Sequence, residues 1–224
     1  MKKILLVVLT IIVIGLTYFV YDMSDYASVV AEDGKMGLYT KWNYSELKNG
    51  DIIFHTSKSS QSKAIQLATK SKYSHMGIIY KQNDSFFVFE AVQPVKLTPL
   101  DKWIKRGIDY HFIVKRLKER DKYLTETNLN IMFQTGDKFE GRDYDIYFNW
   151  SDDKLYCSEL VYKIYHAIGI DIGDLEKLKD FDLSAEIVKN KLIERYGENI
   201  PFEEIVISPV SMFNSELLET VVEN

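Results

Sequence analysis

Cys157, the only cysteine of this 224-residue chain, opens the run Cys157-Ser158-Glu159-Leu160-Val161. Behind it Leu160, Val161, Ile164 and Ile168 recur at helical spacing, and Gly169 stands where a C-terminal cap belongs. The pattern predicts a helix of about 12 residues with Cys157 in its first turn. Unpaired N–H groups and the helix dipole favour an anion there, so a thiol at that place can ionise near neutral pH and act as a nucleophile. A lone cysteine is more often a small buried hydrophobe. The nucleophile reading therefore needs a base within reach, and a group that orients the base.

Two polar residues on predicted strands supply candidates. Tyr73-Ser74-His75-Met76-Gly77-Ile78-Ile79-Tyr80 and Phe86-Phe87-Val88-Phe89-Glu90-Ala91-Val92 are β-prone and separated by a short polar segment, which predicts a hairpin. A turn centred between Gln82 and Asn83 sets His75 directly opposite Glu90, about 4.5–5.5 Å apart at Cβ on one face. A carboxylate beside a histidine fixes its tautomer and stabilises the imidazolium. Packing the cysteine helix on that face would then assemble sulfur, imidazole and carboxylate. His111, on another predicted strand, is the rival base, although Tyr110 and Phe112 beside it favour a packing role.

The elements that must hold these groups follow in order. Asn49-Gly50-Asp51 is a turn signal before the short strand Ile52-Ile53-Phe54. Residues 61–70 read as a helix, and residues 99–105 as a short helix capped by Thr98. Residues 110–116 form a strand, 121–135 a helix, and 141–145 a loop. Residues 183–196 are a further helix, 205–207 a strand before the turn Ser208-Pro209, and 217–222 an edge strand. No internal repeat or low-complexity tract is present.

Composition bounds the function. A hydrophobic content of 46% with 13% aromatic residues argues against disorder, and a net charge of −5 gives no sign of nucleic-acid binding. His55, His75, His111 and His166 show no metal spacing, and a single cysteine makes a structural zinc site improbable, so no metal or cofactor is expected. Lys2 and Lys3 precede an uncharged run from Ile4 to Val20 that ends in aromatics and lacks a good cleavage site. That run reads as an uncleaved membrane anchor over residues 1–21, with a cleaved signal as the alternative. The flanking charges then place the body outside the cytoplasm. Residues 22–45 read as a connecting segment, and 46–224 as the globular domain.

The ordered set Gly50-Asp51-Ile52-Ile53-Phe54, Ala64-Ile65-Gln66, Tyr73-Ser74-His75-Met76-Gly77-Ile78, Phe89-Glu90-Ala91, Tyr144-Asp145, Cys157-Ser158-Glu159-Leu160-Val161 and Ile207-Ser208-Pro209 resembles the permuted papain-like amidohydrolases, the YiiX-like relatives of NlpC-type cell-wall peptidases. The resemblance covers roughly residues 46–220. It implies an α+β fold of circularly permuted papain-like type, with a small antiparallel or mixed sheet or barrel packed by helices. It also implies a catalytic triad of Cys157, His75 and Glu90 that hydrolyses amide bonds in a peptide or small amide. Tyr73 and Tyr144 are candidate substrate-binding residues, forming an oxyanion pocket with the Cys157 N–H. Two rivals stand beside this reading. One is a thiol acyltransferase or lipid hydrolase like lecithin:retinol acyltransferase, which has the same permuted order. The other is a non-catalytic wall-binding module.

Overall fold

The computed structural model describes residues 44–224. The expected N-terminal anchor and connecting segment lie outside the described residues. Among the described residues no helix is long and apolar enough to cross a membrane.

Residues Glu46–Asn224 form one compact unit. The chain runs through β1 (Ile52–Ser57), α1 (Ser62–Thr69), β2 (His75–Gln82), β3 (Ser85–Glu90), β4 (Lys96–Pro99), α2 (Leu100–Lys105) and β5 (Gly107–Leu117). It continues through a single helical turn, α3 (Arg120–Tyr123), then α4 (Glu126–Phe139), β6 (Asp143–Tyr144), β7 (Lys154–Leu155), the cysteine helix α5 (Cys157–His166) and β8 (Glu176–Lys177). It closes with α6 (Glu186–Tyr196), β9 (Ile205–Val206), α7 (Pro209–Phe213) and β10 (Leu218–Glu223). Six strands form one sheet in the order β10-β5-β1-β2-β3-β4, with antiparallel neighbours throughout.

Side chains alternate across this sheet, and its two faces have different chemistry. On one face Ile52, Phe54, Met76, Ile78, Tyr80 and Phe89 join Leu160, Val161, Ile164 and Tyr165 of α5 in a single buried cluster. On the other face lie His55, His75, Glu90 and Thr98, with Trp103 of α2 stacked on His55 at 3.8 Å between ring centroids. The cysteine helix therefore packs on the face opposite His75 and Glu90, which corrects the expected arrangement. The physical reason is the apolar stripe of α5. Laid against the carboxylate and imidazoles it would desolvate charged groups, whereas the Met76/Ile78 face accepts it without cost.

The hairpin register also differs from the expectation. Ile78 pairs with Phe89 and Gln82 with Ser85, so the turn is Asn83-Asp84, one residue later than predicted. Asn83 takes the left-handed conformation (φ 54°) that such two-residue turns require and that asparagine tolerates. The pairing carries Glu90 across from Gly77 rather than His75. The shift is one full pleat, so all of these residues keep their face. Gly77 makes the offset workable, because a Cβ there would meet the Val88 side chain at 2.4 Å and Glu90 Cβ at 3.2 Å. The space it leaves lies beside the diagonal along which Glu90 reaches His75.

Candidate active site

Cys157 is the first residue of α5, behind an extended Tyr156 (φ −102°, ψ 167°). Glu159, buried, caps this end by accepting from Tyr156 N at 3.4 Å. Its other oxygen is ion-paired with Lys163 at 2.8 Å. Burial pushes the Glu159 carboxyl up to about 7 against the pull of Lys163. Neighbouring side chains tie the cysteine to the last third of the chain: Ser158 Oγ donates to Ile207 O at 2.8 Å, and Tyr156 OH accepts from Ile207 N at 3.0 Å. The thiol is free, almost wholly buried, and lines a trough.

His75, the first residue of β2, meets the sulfur at the end of the strand rather than across a face. Its ring lies between two partners. Nε2 is 2.6 Å from Glu90 Oε2, and the Cys157 thiol is near enough to the ring to act on its titration, which leaves the Nδ1 side for the sulfur. Burial alone would lower the ring's pKa. The hydrogen bonds and charges of Cys157 and Glu90 outweigh it and raise His75 to about 9, so the ring is an imidazolium at neutral pH.

Glu90 is fully buried. Its Oε1 accepts from Thr98 Oγ1 at 2.5 Å and from Arg106 Nη2, while Oε2 takes His75. Burial would raise this carboxyl, but the His75 contact and charge, the Arg106 charge and the Thr98 hydrogen bond together hold it at about 2. Thr98 was expected to cap α2. The N-cap is instead Pro99, without a side-chain hydrogen bond, and Thr98 belongs to the carboxylate. Arg106, the C-cap of α2, is a further functional residue that the sequence did not single out.

The two tyrosines diverge. Tyr144, on β6, is paired in parallel with Leu155, two residues before Cys157. Its OH accepts from Gln61 Nε2 at 2.9 Å, and burial together with the charge at Cys157 pushes its own ionisation far up, so it stays a donor. Tyr73, in contrast, stacks on Phe213 at 4.3 Å and meets Phe54 edge-on within the core. It lines neither cavity at the site, so the structure gives it a packing position rather than the expected substrate contact. His111 hydrogen-bonds through Nδ1 to Asn224 O at 2.7 Å and has Lys72 Nζ at 3.2 Å from Nε2, away from the thiol.

Two cavities flank the triad-like group, and Gln61 and Tyr144 line both. The first, about 110 Å³, is lined by Cys157 and by apolar residues of α1 and α6, including Ile65, Val188 and Leu192. The second, about 690 Å³, is lined by His75 and His55 with Lys58, Lys105 and Arg106. Arg195 of α6 donates to Gln61 Oε1 at 2.7 Å and so holds the amide that separates the two.

A profile of the permuted papain-like amidase enzymes, the YaeF/YiiX or C92 family, matches residues 46–222. An Escherichia coli K12 relative described as the uncharacterized protein YiiX is 49% identical over 175 residues, covering 78% of this chain and 85% of its own. A solved structure described as the metalloprotein yiiX from Escherichia coli O157:H7 superposes with a TM-score of 0.75 at 48% identity, covering 79% of this chain and 97% of that one. With a profile match over most of the chain and identity near one half, the chain belongs to the YaeF/YiiX family of permuted papain-like amidases.

Proposed function

We propose that the chain hydrolyses an amide through Cys157 as nucleophile, His75 as acid and base, and Glu90 as the group that orients His75. The observation that carries this reading is the His75 ring held between the thiol and the carboxylate, with Nε2 2.6 Å from Glu90 Oε2. The Cys157 thiolate attacks the carbonyl carbon, and the oxyanion forms near the Cys157 N–H and the Tyr144 hydroxyl. As the C–N bond breaks, the proton on His75 Nδ1 passes to the departing nitrogen. A water molecule then adds to the thioester, giving its proton to His75. The C–S bond breaks, the acid leaves, and the proton returns the site to its resting state.

Replacing Cys157 with alanine is expected to abolish turnover of a peptide amide while circular dichroism and the melting temperature stay near wild type. Hydrolysis by that variant at the wild-type rate would overturn the assignment of the nucleophile. Cell-wall peptides are the substrate class that the NlpC-type resemblance suggests, and release of new amino groups from purified wall peptides tests it. We also propose that the run Ile4–Val20 holds the domain at the outer side of a membrane. Recovery of the full chain in the soluble cytoplasmic fraction would refute this.

The apolar trough at Cys157 favours one second reading, acyl-group transfer through the same thioester. A long-chain acyl adduct on Cys157 by mass spectrometry would select it. The Escherichia coli O157:H7 relative is titled a metalloprotein. Here the donors near Cys157 do not fit an ion: among the described residues no three His, Cys, Asp or Glu side chains converge on a common point. Glu90 already occupies the far nitrogen of His75.

A further inference from the structure

The larger cavity has a composition that hydrolysis alone does not explain. Lys58, Lys105 and Arg106 line it with His55 and His75, and among the described residues no aspartate or glutamate does. Glu90 is in contact with Arg106 but lies beneath the wall, with both oxygens already occupied. Lys58 Nζ donates to Lys105 O at 3.0 Å, which holds the ammonium in place and leaves two of its three N–H groups. In the wall itself, His55 is 1% exposed and neither ring nitrogen has a hydrogen-bond partner among the described residues. It stacks on Trp103, whose Nε1 is also buried without a partner, and its ring lies 5.4 Å from that of His75. Burial, followed by the positive charges of His75, Arg106 and Lys58, holds His55 well below its ordinary pKa. Glu90 offsets part of the charge of Arg106 and His75, but the wall itself carries cations and no carboxylate, and cavities of this kind concentrate anions.

Position decides what the anion belongs to. This inference rests on the hydrolase reading above, in which His75 gives its proton to the departing nitrogen. The leaving half of the substrate must then lie on the His75 side, and the acyl half in the apolar trough with Cys157. The Gln61–Tyr144 contact divides the two. We infer that the cavity lined by Lys58, Arg106 and His55 is an anion subsite for the leaving group, so that the preferred amides release an amine bearing a carboxylate or a phosphate.

Protection of Cys157 against a neutral alkylating agent tests this without knowledge of the substrate. The full chain is treated with iodoacetamide at fixed ionic strength, and adduct formation is followed by mass spectrometry. The additions compared are glycine, 2-aminoethyl phosphate, inorganic phosphate and glycinamide. The expected result is at least threefold slowing by glycine or by 2-aminoethyl phosphate at concentrations where glycinamide has no effect. Protection by glycine alone identifies a carboxylate, and by 2-aminoethyl phosphate alone a phosphate ester. Lys58→Glu should remove the protection and Lys58→Gln should weaken it, each judged against its own rate without additive. Equal behaviour of glycine and glycinamide, with no effect of 2-aminoethyl phosphate, overturns the inference while the hydrolase reading stands. Slowing by inorganic phosphate alone overturns the assignment to the leaving amine. A Cys157 inert to iodoacetamide in the wild-type chain overturns the hydrolase reading and this inference together.

Discussion

The two faces of the central sheet are built from the same strands and do opposite work. Along β2, Met76 and Ile78 point to the face covered by α5, where apolar contacts hold the domain together. His75 and Gly77 point the other way, to the face where Glu90 binds His75, Thr98 and Arg106. The period-two alternation of a strand separates adhesion from chemistry by one residue. A helix that needs an apolar bed can thus deliver its first residue to a charged group lying around the strand end. The comparison predicts that substitutions on the two faces fail in different ways.

The largest difference should come from Glu90→Gln. It keeps the shape but removes the charge that His75 faces, and kcat/KM should fall on the order of 10²–10⁴-fold, the range for general acid–base groups. Retention of the wild-type rate would detach the carboxylate from the chemistry. On the opposite face, Met76→Ala empties a fully buried site. It should cost about 2–5 kcal/mol in denaturant unfolding, while the rate of the folded fraction stays within about threefold. A large loss of rate at unchanged stability would show that the faces are not separable.

Arg106→Met sharpens the contrast through pH. Glu90 is held at about 2 against an ordinary 4.5, so its contribution to stability is complete above pH 4.5 and is lost as the pH falls through about 2. Removing the guanidinium raises the Glu90 pKa, and acid unfolding should begin at a higher pH than in wild type. His75 has the opposite sign. Raised to about 9 from 6.5, it stabilises fully below pH 6.5 and progressively less as the pH climbs through about 9. Wild-type stability and kcat/KM should both decline on that alkaline limb. The rate loss in Arg106→Met at neutral pH should be smaller, about tenfold, because Thr98 and His75 still hold the carboxylate. An unshifted acid limb would remove Arg106 from the account of Glu90.

The elements were largely legible in the sequence. Apolar periodicity after Cys157 and the two β-prone runs located α5, β2 and β3, and the ordered motifs pointed to the family. The relations between elements were less legible. Period-two patterning gave the faces of His75 and Glu90 correctly, but Asn83-Asp84 and Gln82-Asn83 are both acceptable turn pairs, and the choice between them moves the register. The side on which α5 lies depends on matching its stripe to Met76, Ile78 and Phe89 rather than to neighbouring residues on the same strands. Thr98 has the composition of a helix cap, and a tertiary demand from Glu90 overrides that local preference. Arg106 and His55 carried no local signal at all, because a basic residue after a short helix and a histidine in a strand are common. Tyr73 and Tyr144 could not be ranked by type; the parallel pairing of Tyr144 with Leu155 places one of them near the thiol.

The hairpin from β2 to β3 brings His75 and Glu90 together over a short stretch of chain, whereas Cys157 arrives only after α4 and the β6–β7 ladder have been laid down. Closing the longer loop costs more entropy and depends on a bed that the earlier strands must first supply. During folding, the imidazole and its carboxylate can meet while the sulfur is still an ordinary, unpartnered thiol. The reactive centre is thus complete only once a long-range contact has formed, and a molecule in which that contact is open has no armed nucleophile to turn on its neighbours.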